Sequence, residues 1–195
     1  KSPSLIQVAS VAYDESYKQI FYTTNNNQLY RDVWMYDLNT SKEKLLFHDM
    51  RVGTLTVSQT THELLGIQHQ SGKAILVKSK YPFTELQSLS VFKVGDEFQD
   101  LAINSKGNLL AATMHFSDGK QSIIISDIAD LEKGKSFSFK ALTSSGSPEN
   151  PSWSLDGKYL YWNAYTNGVS NIYRYDLQSA EIIPLTNTVK GFFKP

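Results

Sequence analysis

Serine hydrolysis, phosphate binding and metal chemistry each demand particular residue types at fixed spacing, and the 195 residues offer few such sets. A nucleophilic serine on a strand-to-helix elbow needs G-x-S-x-G, which does not occur. Gly134-Lys135-Ser136 matches the end of a phosphate-cradling loop, but the earlier glycine that loop requires is Ala129. There is no H-E-x-x-H, and the nearest histidines in sequence, His62 and His69, fall at opposite ends of one strand. With no cysteine there is no thiolate nucleophile, zinc ribbon or disulfide frame. Asp96-Glu97 and Asp127 with Asp130 lie between strands, where a solvated turn is favoured over acid–base catalysis or calcium binding. Asn39-Thr40-Ser41 has the glycosylation-acceptor pattern but sits in an ordinary hairpin turn. The expectation is a chain with no catalytic residue, no metal site and no cofactor.

Composition narrows the partners. Nineteen basic and nineteen acidic residues cancel, so no global field draws the chain to nucleic acid or to anionic lipid. No stretch approaches the roughly 20 apolar residues that a membrane helix needs, so direct membrane insertion is not expected. The 41% hydrophobic and 19% charged residues are those of a soluble globular protein, and 12% aromatics, mainly Tyr and Phe, favour strands over helices. A chain of this length buries roughly 70% of the surface it exposes when unfolded, enough for a core of its own. It opens on Lys1 with no charged-then-apolar segment behind it, so either a leader has been removed or the chain is a piece of something larger.

The elements that would position any site are clearest in residues 148–185. Short runs at 151–154, 159–163, 171–175 and 181–185 are separated by Asp156-Gly157, by Asn167-Gly168 and by Asp176 with Ser179. Four short runs joined by three tight turns describe an antiparallel meander, which needs a second layer to cover one face.

The rest of the chain repeats it. The units span 5–48, 53–94, 98–142 and 148–187, and residues 188–195 begin another. In the first, the strands are 6–13, 19–24, 32–36 and 44–47. In the second they are 55–58, 63–68, 74–78 and 88–93, with Tyr81-Pro82-Phe83 opening an insertion at the outer edge. The third has strands at 99–104, 109–114, 122–126 and 136–142, with one helical turn within 127–135. Gly107 and Gly157 fill the same turn, and Ile20, Leu64, Leu110 and Leu160 take one place at steps of 44, 46 and 50 residues. Four strands per unit at a period in the forties predict an all-β fold, a β-propeller of four-stranded antiparallel blades. Phe192-Phe193-Lys194-Pro195 overlays Pro148-Glu149-Asn150-Pro151, the approach to a first strand. Four blades and the start of a fifth leave open sheet edges, which two arrangements would resolve. The chain is an excised part of a six- to eight-bladed ring, or it closes by pairing with another copy.

The segment Asn150-Pro151-Ser152-Trp153-Ser154-Leu155-Asp156-Gly157-Lys158-Tyr159-Leu160-Tyr161-Trp162 resembles the PD40, or WD40-like, repeat of TolB-type propellers, P-x-W-S-P-D-G-K-x-L-x-F. Asn171-Ile172-Tyr173-Arg174-Tyr175-Asp176-Leu177 and Leu185-Thr186 supply its later D-I-Y-x-x-D and L-T parts, as Asp32-Val33-Trp34-Met35-Tyr36-Asp37-Leu38 does in the first unit. Leu155 replaces the usual proline and Asn171 the usual aspartate. The match is strong over 148–186, moderate over 6–47 and weak between. The resemblance implies a bacterial propeller used in protein–protein contact, periplasmic or at the cell surface. The same repeat is similar to the non-catalytic propeller that gates prolyl-oligopeptidase-type peptidases. Trp153, at the end of an inner strand, is expected to pack between blades and to hold the fold.

On this register the second strands end at Asn25, His69, His115 and Tyr165, and the inner strands begin near Ser10, Thr54, Asp100 and Asn150, with Gln99 and Glu149 beside the last two. Strand ends of these two kinds open on one face of a propeller. Asn25, His69, His115, Tyr165, Asp100, Glu149 and Asn150 are therefore the candidate binding residues, a polar and aromatic rim around the channel mouth. The expected function is a non-enzymatic module for a protein, peptide or other ligand. The alternative is the gating propeller of a peptidase whose catalytic domain lies outside this chain. A lyase or glycan-active propeller would need His and carboxylates clustered on the channel face, which the register does not supply.

Overall fold

Gly107 and Gly157 set the geometry of two equivalent hairpins. Their φ angles are 72° and 69°, a region open to glycine at little cost. Each donates its N–H to the carbonyl three residues back, Asn104 and Ser154, at 2.9 Å. The computed structural model describes residues 7–26, 28, 30–132, 139–142, 146–166 and 168–195. The head of the first unit at residues 5 and 6, the turn residue Asn167, and Gly134-Lys135-Ser136 with the head of the 136–142 strand lie outside the described residues.

The chain divides into two units, 1–94 and 95–195. In the first, β1 (Val8–Asp14), β2 (Gln19–Asn25), β3 (Arg31–Asp37) and β4 (Lys42–Phe47) form one antiparallel sheet in that order. A second sheet follows from β5 (Val52–Val57), β6 (Leu64–Gln70), β7 (Lys73–Ser79) and β8 (Gln87–Val91). The other unit repeats the plan. Its β9 (Glu97–Ile103), β10 (Leu109–His115), β11 (Gln121–Asp127) and β12 (Lys140–Ala141) form one sheet, with α1 (Ile128–Glu132) between the last two strands. Its second sheet is β13 (Pro148–Trp153), β14 (Tyr159–Thr166), β15 (Val169–Asp176) and β16 (Ile182–Pro184). Four four-stranded meanders are what the repeat predicts. The register agrees in detail, since Tyr13 pairs Ile20, Val57 pairs Leu64, Ile103 pairs Leu110 and Trp153 pairs Leu160.

Each unit packs its two sheets face to face through alternate residues of the strands. Phe21, Val33, Leu55, Leu64 and Val77 are buried together in the first unit. Ala111, Ile123, Leu160 and Trp162 are buried together in the second. A fully buried side chain of the size of Phe21 contributes about 1.5–3 kcal/mol. Trp153 packs against the second cluster and its indole N–H donates to the Ala102 carbonyl in the neighbouring sheet at 3.1 Å, so it fastens sheet to sheet as expected.

Some boundaries and environments differ from the sequence expectation. β13 starts at Pro148 and not at 151, because an inner edge strand tolerates residues without an N–H. Phe83, expected in an outer insertion, is buried and meets Phe21 edge-on at 5.2 Å. Asp96 is not a solvated turn residue, since it is buried and accepts the Ser117 N–H at 2.9 Å. Asp127 ends β11 and Asp130 lies in α1, where Asp127 accepts the Ala129 N–H at 2.8 Å.

Candidate functional site

The candidate residues divide between the two units. In the first, Asn25 closes β2 opposite Arg31, and His69 is the penultimate residue of β6 opposite Ala74. The link from β4 to β5 runs past the same end, where Arg51 donates its N–H to the Arg31 carbonyl at 3.2 Å and accepts that of His69 at 3.1 Å. The Arg51 guanidinium lies 4.5 Å from the centre of the Tyr30 ring. A half-open cleft of about 430 Å³ is lined here by Asp49, Met50, Arg51, Gln68, His69, Gln70 and Ser71. Gly53 makes the crowding workable, because a Cβ on it would fall 2.7 Å from Arg31 Nη1 and 3.4 Å from His69 Nε2.

In the second unit, His115 ends β10 and Tyr165 is penultimate in β14. Tyr165 is 54% exposed, whereas His115 Nε2 is buried with no hydrogen-bond partner among the described residues. Asp100 and Asn150 lie within β9 and β13, not at their mouths. Both occupy bulges where the register shifts, at φ of 52° and 55°. Asp100 Oδ2 accepts the Thr113 hydroxyl at 3.1 Å and the Asn150 N–H at 3.3 Å. The Asn150 amide donates to Asn163 Oδ1 at 2.8 Å. Glu149 is exposed beside them, paired with Asn163. Asp100 and Asn150 thus lie next to each other and spend polar atoms on the fold, while Glu149 and Tyr165 present theirs outward.

Several residues at the strand ends carried no local signal. Arg51 lines the first unit's cleft, with Arg31 and Tyr30 against it, because the β4–β5 link runs back past the β2–β3 hairpin. Asp32, His48 and Asp49 bring three potential ligand atoms within 4.8 Å, a set that could hold a divalent cation although none was expected from sequence. Asp32 also has structural work, accepting from Asn26 Nδ2 at 3.2 Å and from the Asp49 N–H at 2.9 Å, with His48 Nδ1 at 3.0 Å. In the second unit Asn171 does the same with an amide, accepting the Thr186 hydroxyl at 3.0 Å and the Thr188 N–H at 3.2 Å.

No family model matches the sequence, and no curated protein matches it. Solved structures do resemble it. TolB from Acinetobacter baumannii is similar over 93% of this chain and 44% of its own, at 17% identity and a TM-score of 0.73. A TolB-like protein from Agrobacterium tumefaciens is similar over 97% of this chain and 65% of its own, at 14% identity and a TM-score of 0.76. A structure from work on two prolyl endopeptidases is similar over 89% of this chain and 25% of its own, at 11% identity and a TM-score of 0.66. The chain thus spans less than two thirds of the two TolB structures. The fold is that of a TolB-like β-propeller, and the four sheets are its blades. Among the described residues no helix is long and apolar enough to cross a membrane.

Proposed function

We propose that the chain is a non-enzymatic binding module that takes a protein or peptide at the strand ends of its blades. In the first unit the contacts come from Asn25 and His69, and in the second from His115, Tyr165 and Glu149, with Asp100 and Asn150 in the bulges just inside them. The observation that supports this best is the pairing of exposed side chains with a rigid frame. Tyr165 is 54% exposed, yet it sits on a strand whose next residues inward are buried. An aromatic anchor held this way costs little ordering entropy on binding. The likeness to TolB propellers supports the same role and a periplasmic or cell-surface location. Hydrogen exchange tests it: a bound peptide protects the 25–31, 49–53 and 69–71 strand ends or the 97–100, 115–121, 149–150 and 164–166 strand ends. Protection confined to the opposite turns would overturn it.

We also read 188–195 as the approach to a further blade, supplied by more of the same chain or by a second copy. Lys194 repeats the left-handed φ of Asp100 and Asn150, at 62°, and its N–H points to Asn163 Oδ1 at 3.5 Å. A second reading, favoured by the likeness to the prolyl endopeptidase structure, makes this the gating propeller of a peptidase. It requires a domain with a G-x-S-x-G elbow elsewhere in the parent gene, which sequencing that gene decides.

A further inference from the structure

At the end of the first unit away from Asn25, where β1 hands over to β2, lies a second cavity, of about 350 Å³. Its polar floor is a pair that sequence separates by 48 residues. Asp14, with a side chain 2% exposed, holds Oδ2 at 2.8 Å from His62 Nδ1, and its Oδ1 accepts the Tyr17 N–H at 3.1 Å. A carboxylate oxygen facing Nδ1 accepts the hydrogen that Nδ1 carries, and in the neutral imidazole this makes Nε2 the acceptor. The walls are rings. Tyr17 meets the His62 imidazole edge-on at 4.5 Å, and Tyr81 meets Phe83 edge-on at 6.0 Å. Phe83 is itself locked against Phe21, while Tyr81 is 78% exposed and Tyr17 55% exposed at the mouth.

The charge of this cavity selects its ligand. No lysine or arginine is among the lining residues, and the nearby Lys80 is held by Glu63 at 2.9 Å. Ring faces carry negative quadrupoles, and a buried carboxylate behind them adds to the same sign of potential. We infer that the Asp14–His62 cavity binds an alkylammonium group, with Tyr17, Tyr81 and Phe83 enclosing the cation and His62 Nε2 accepting one of its N–H bonds. Nothing in this depends on the strand-end site at the other end of the blades. The group has two sources, a lysine side chain of a polypeptide or a free amine.

Titration of the protein at about pH 8 with N-acetyl-lysine-N-methylamide, with cadaverine and with the neutral Nε-acetylated lysine amide tests this, read by NMR of the His62 and Tyr17 rings. Saturable shifts with the two amines below about 20 mM, and none with the neutral amide, are expected. The tighter of the two amines identifies the source. Tyr81→Ala, at an exposed ring, should weaken binding about fivefold, and Asp14→Asn about tenfold. If the buried Asp14→Asn variant fails to fold, Tyr81→Ala and Tyr17→Ala carry the test. No saturable shift, equal shifts with the neutral amide, or unchanged affinity in Tyr81→Ala would overturn the assignment.

Discussion

Asp100 Oδ2 accepts the backbone N–H of Asn150, its counterpart fifty residues further along the chain, at 3.3 Å. The same oxygen holds the buried Thr113 hydroxyl, so one carboxylate ties a bulge to its own sheet and to the next. Asp100→Ala leaves the Thr113 hydroxyl and the Asn150 N–H without this acceptor and places alanine at a left-handed φ. The expected cost is about 2 kcal/mol, seen as a lower urea midpoint with an unchanged slope. Asp100→Asn keeps an acceptor and tolerates the φ, and should cost less than half of that.

Asp32 caps the entry of β3 with a carboxylate where Asn171 caps the entry of β15 with an amide. The cap therefore does not need the charge. Asp32→Asn should change stability by less than about 0.5 kcal/mol, and Asp32→Ala should cost about 1–2 kcal/mol. Equal losses in the two variants would show that the negative charge beside His48 and Asp49 matters for stability.

Three aspartates at hairpin turns, Asp37 and Asp176 half-buried at the ends of β3 and β15 and Asp156 exposed, are stabilised in their ionised form. The Thr40 N–H holds Asp37 below its ordinary value of 3.8, the Ser179 N–H does so for Asp176, and the Ser154 hydroxyl does so for Asp156. A carboxylate with a lowered folded value contributes stability that is present above the ordinary value and lost as pH falls through the folded one. Thermal stability should therefore decline on acidification from about pH 4 downwards. The double variant Asp37→Asn, Asp176→Asn should flatten that decline, as followed by melting temperature against pH.

Two glycines separate stability from site geometry. A Cβ on Gly66 would meet Val52 Cγ1 at 2.7 Å and the Thr54 carbonyl at 3.0 Å, inside the packed core. Gly66→Ala should cost about 1–3 kcal/mol. A Cβ on Gly53 meets the tip of Arg31, which can swing aside, so Gly53→Ala should cost less than about 1 kcal/mol while displacing Arg31 and adding a methyl in contact with His69. Ligand binding at that cleft, measured by calorimetry, should weaken although the fold stands.

What the sequence makes legible is local. Gly107 and Gly157 reveal their hairpins because a tight turn restricts the residues that fit, and Leu110 and Leu160 follow at fixed distance. With Ile20 and Leu64 they fix the register of the first hairpin in each of the four sheets. Phe83 and Asp96 are different, because burial depends on what the other sheet brings to them. The Asp14–His62 pair joins two separate hairpins, and Asp32 meets His48 and Asp49 across the open end of the β3–β4 hairpin, so no local motif announces either. The repeat marks Asp100 and Asn150 as equivalent inner-strand residues, but their bulges and mutual hydrogen bond are tertiary facts.

The proposed binding occurs through the strand-end residues. Peptides selected from a displayed random library against the folded chain provide the probe, with affinity measured for the wild type and for His69→Ala, His115→Ala and Tyr165→Ala combined. A loss of about tenfold or more, with the melting temperature little changed, is the predicted result. Unchanged affinity in the triple variant would mean that the peptides bind elsewhere.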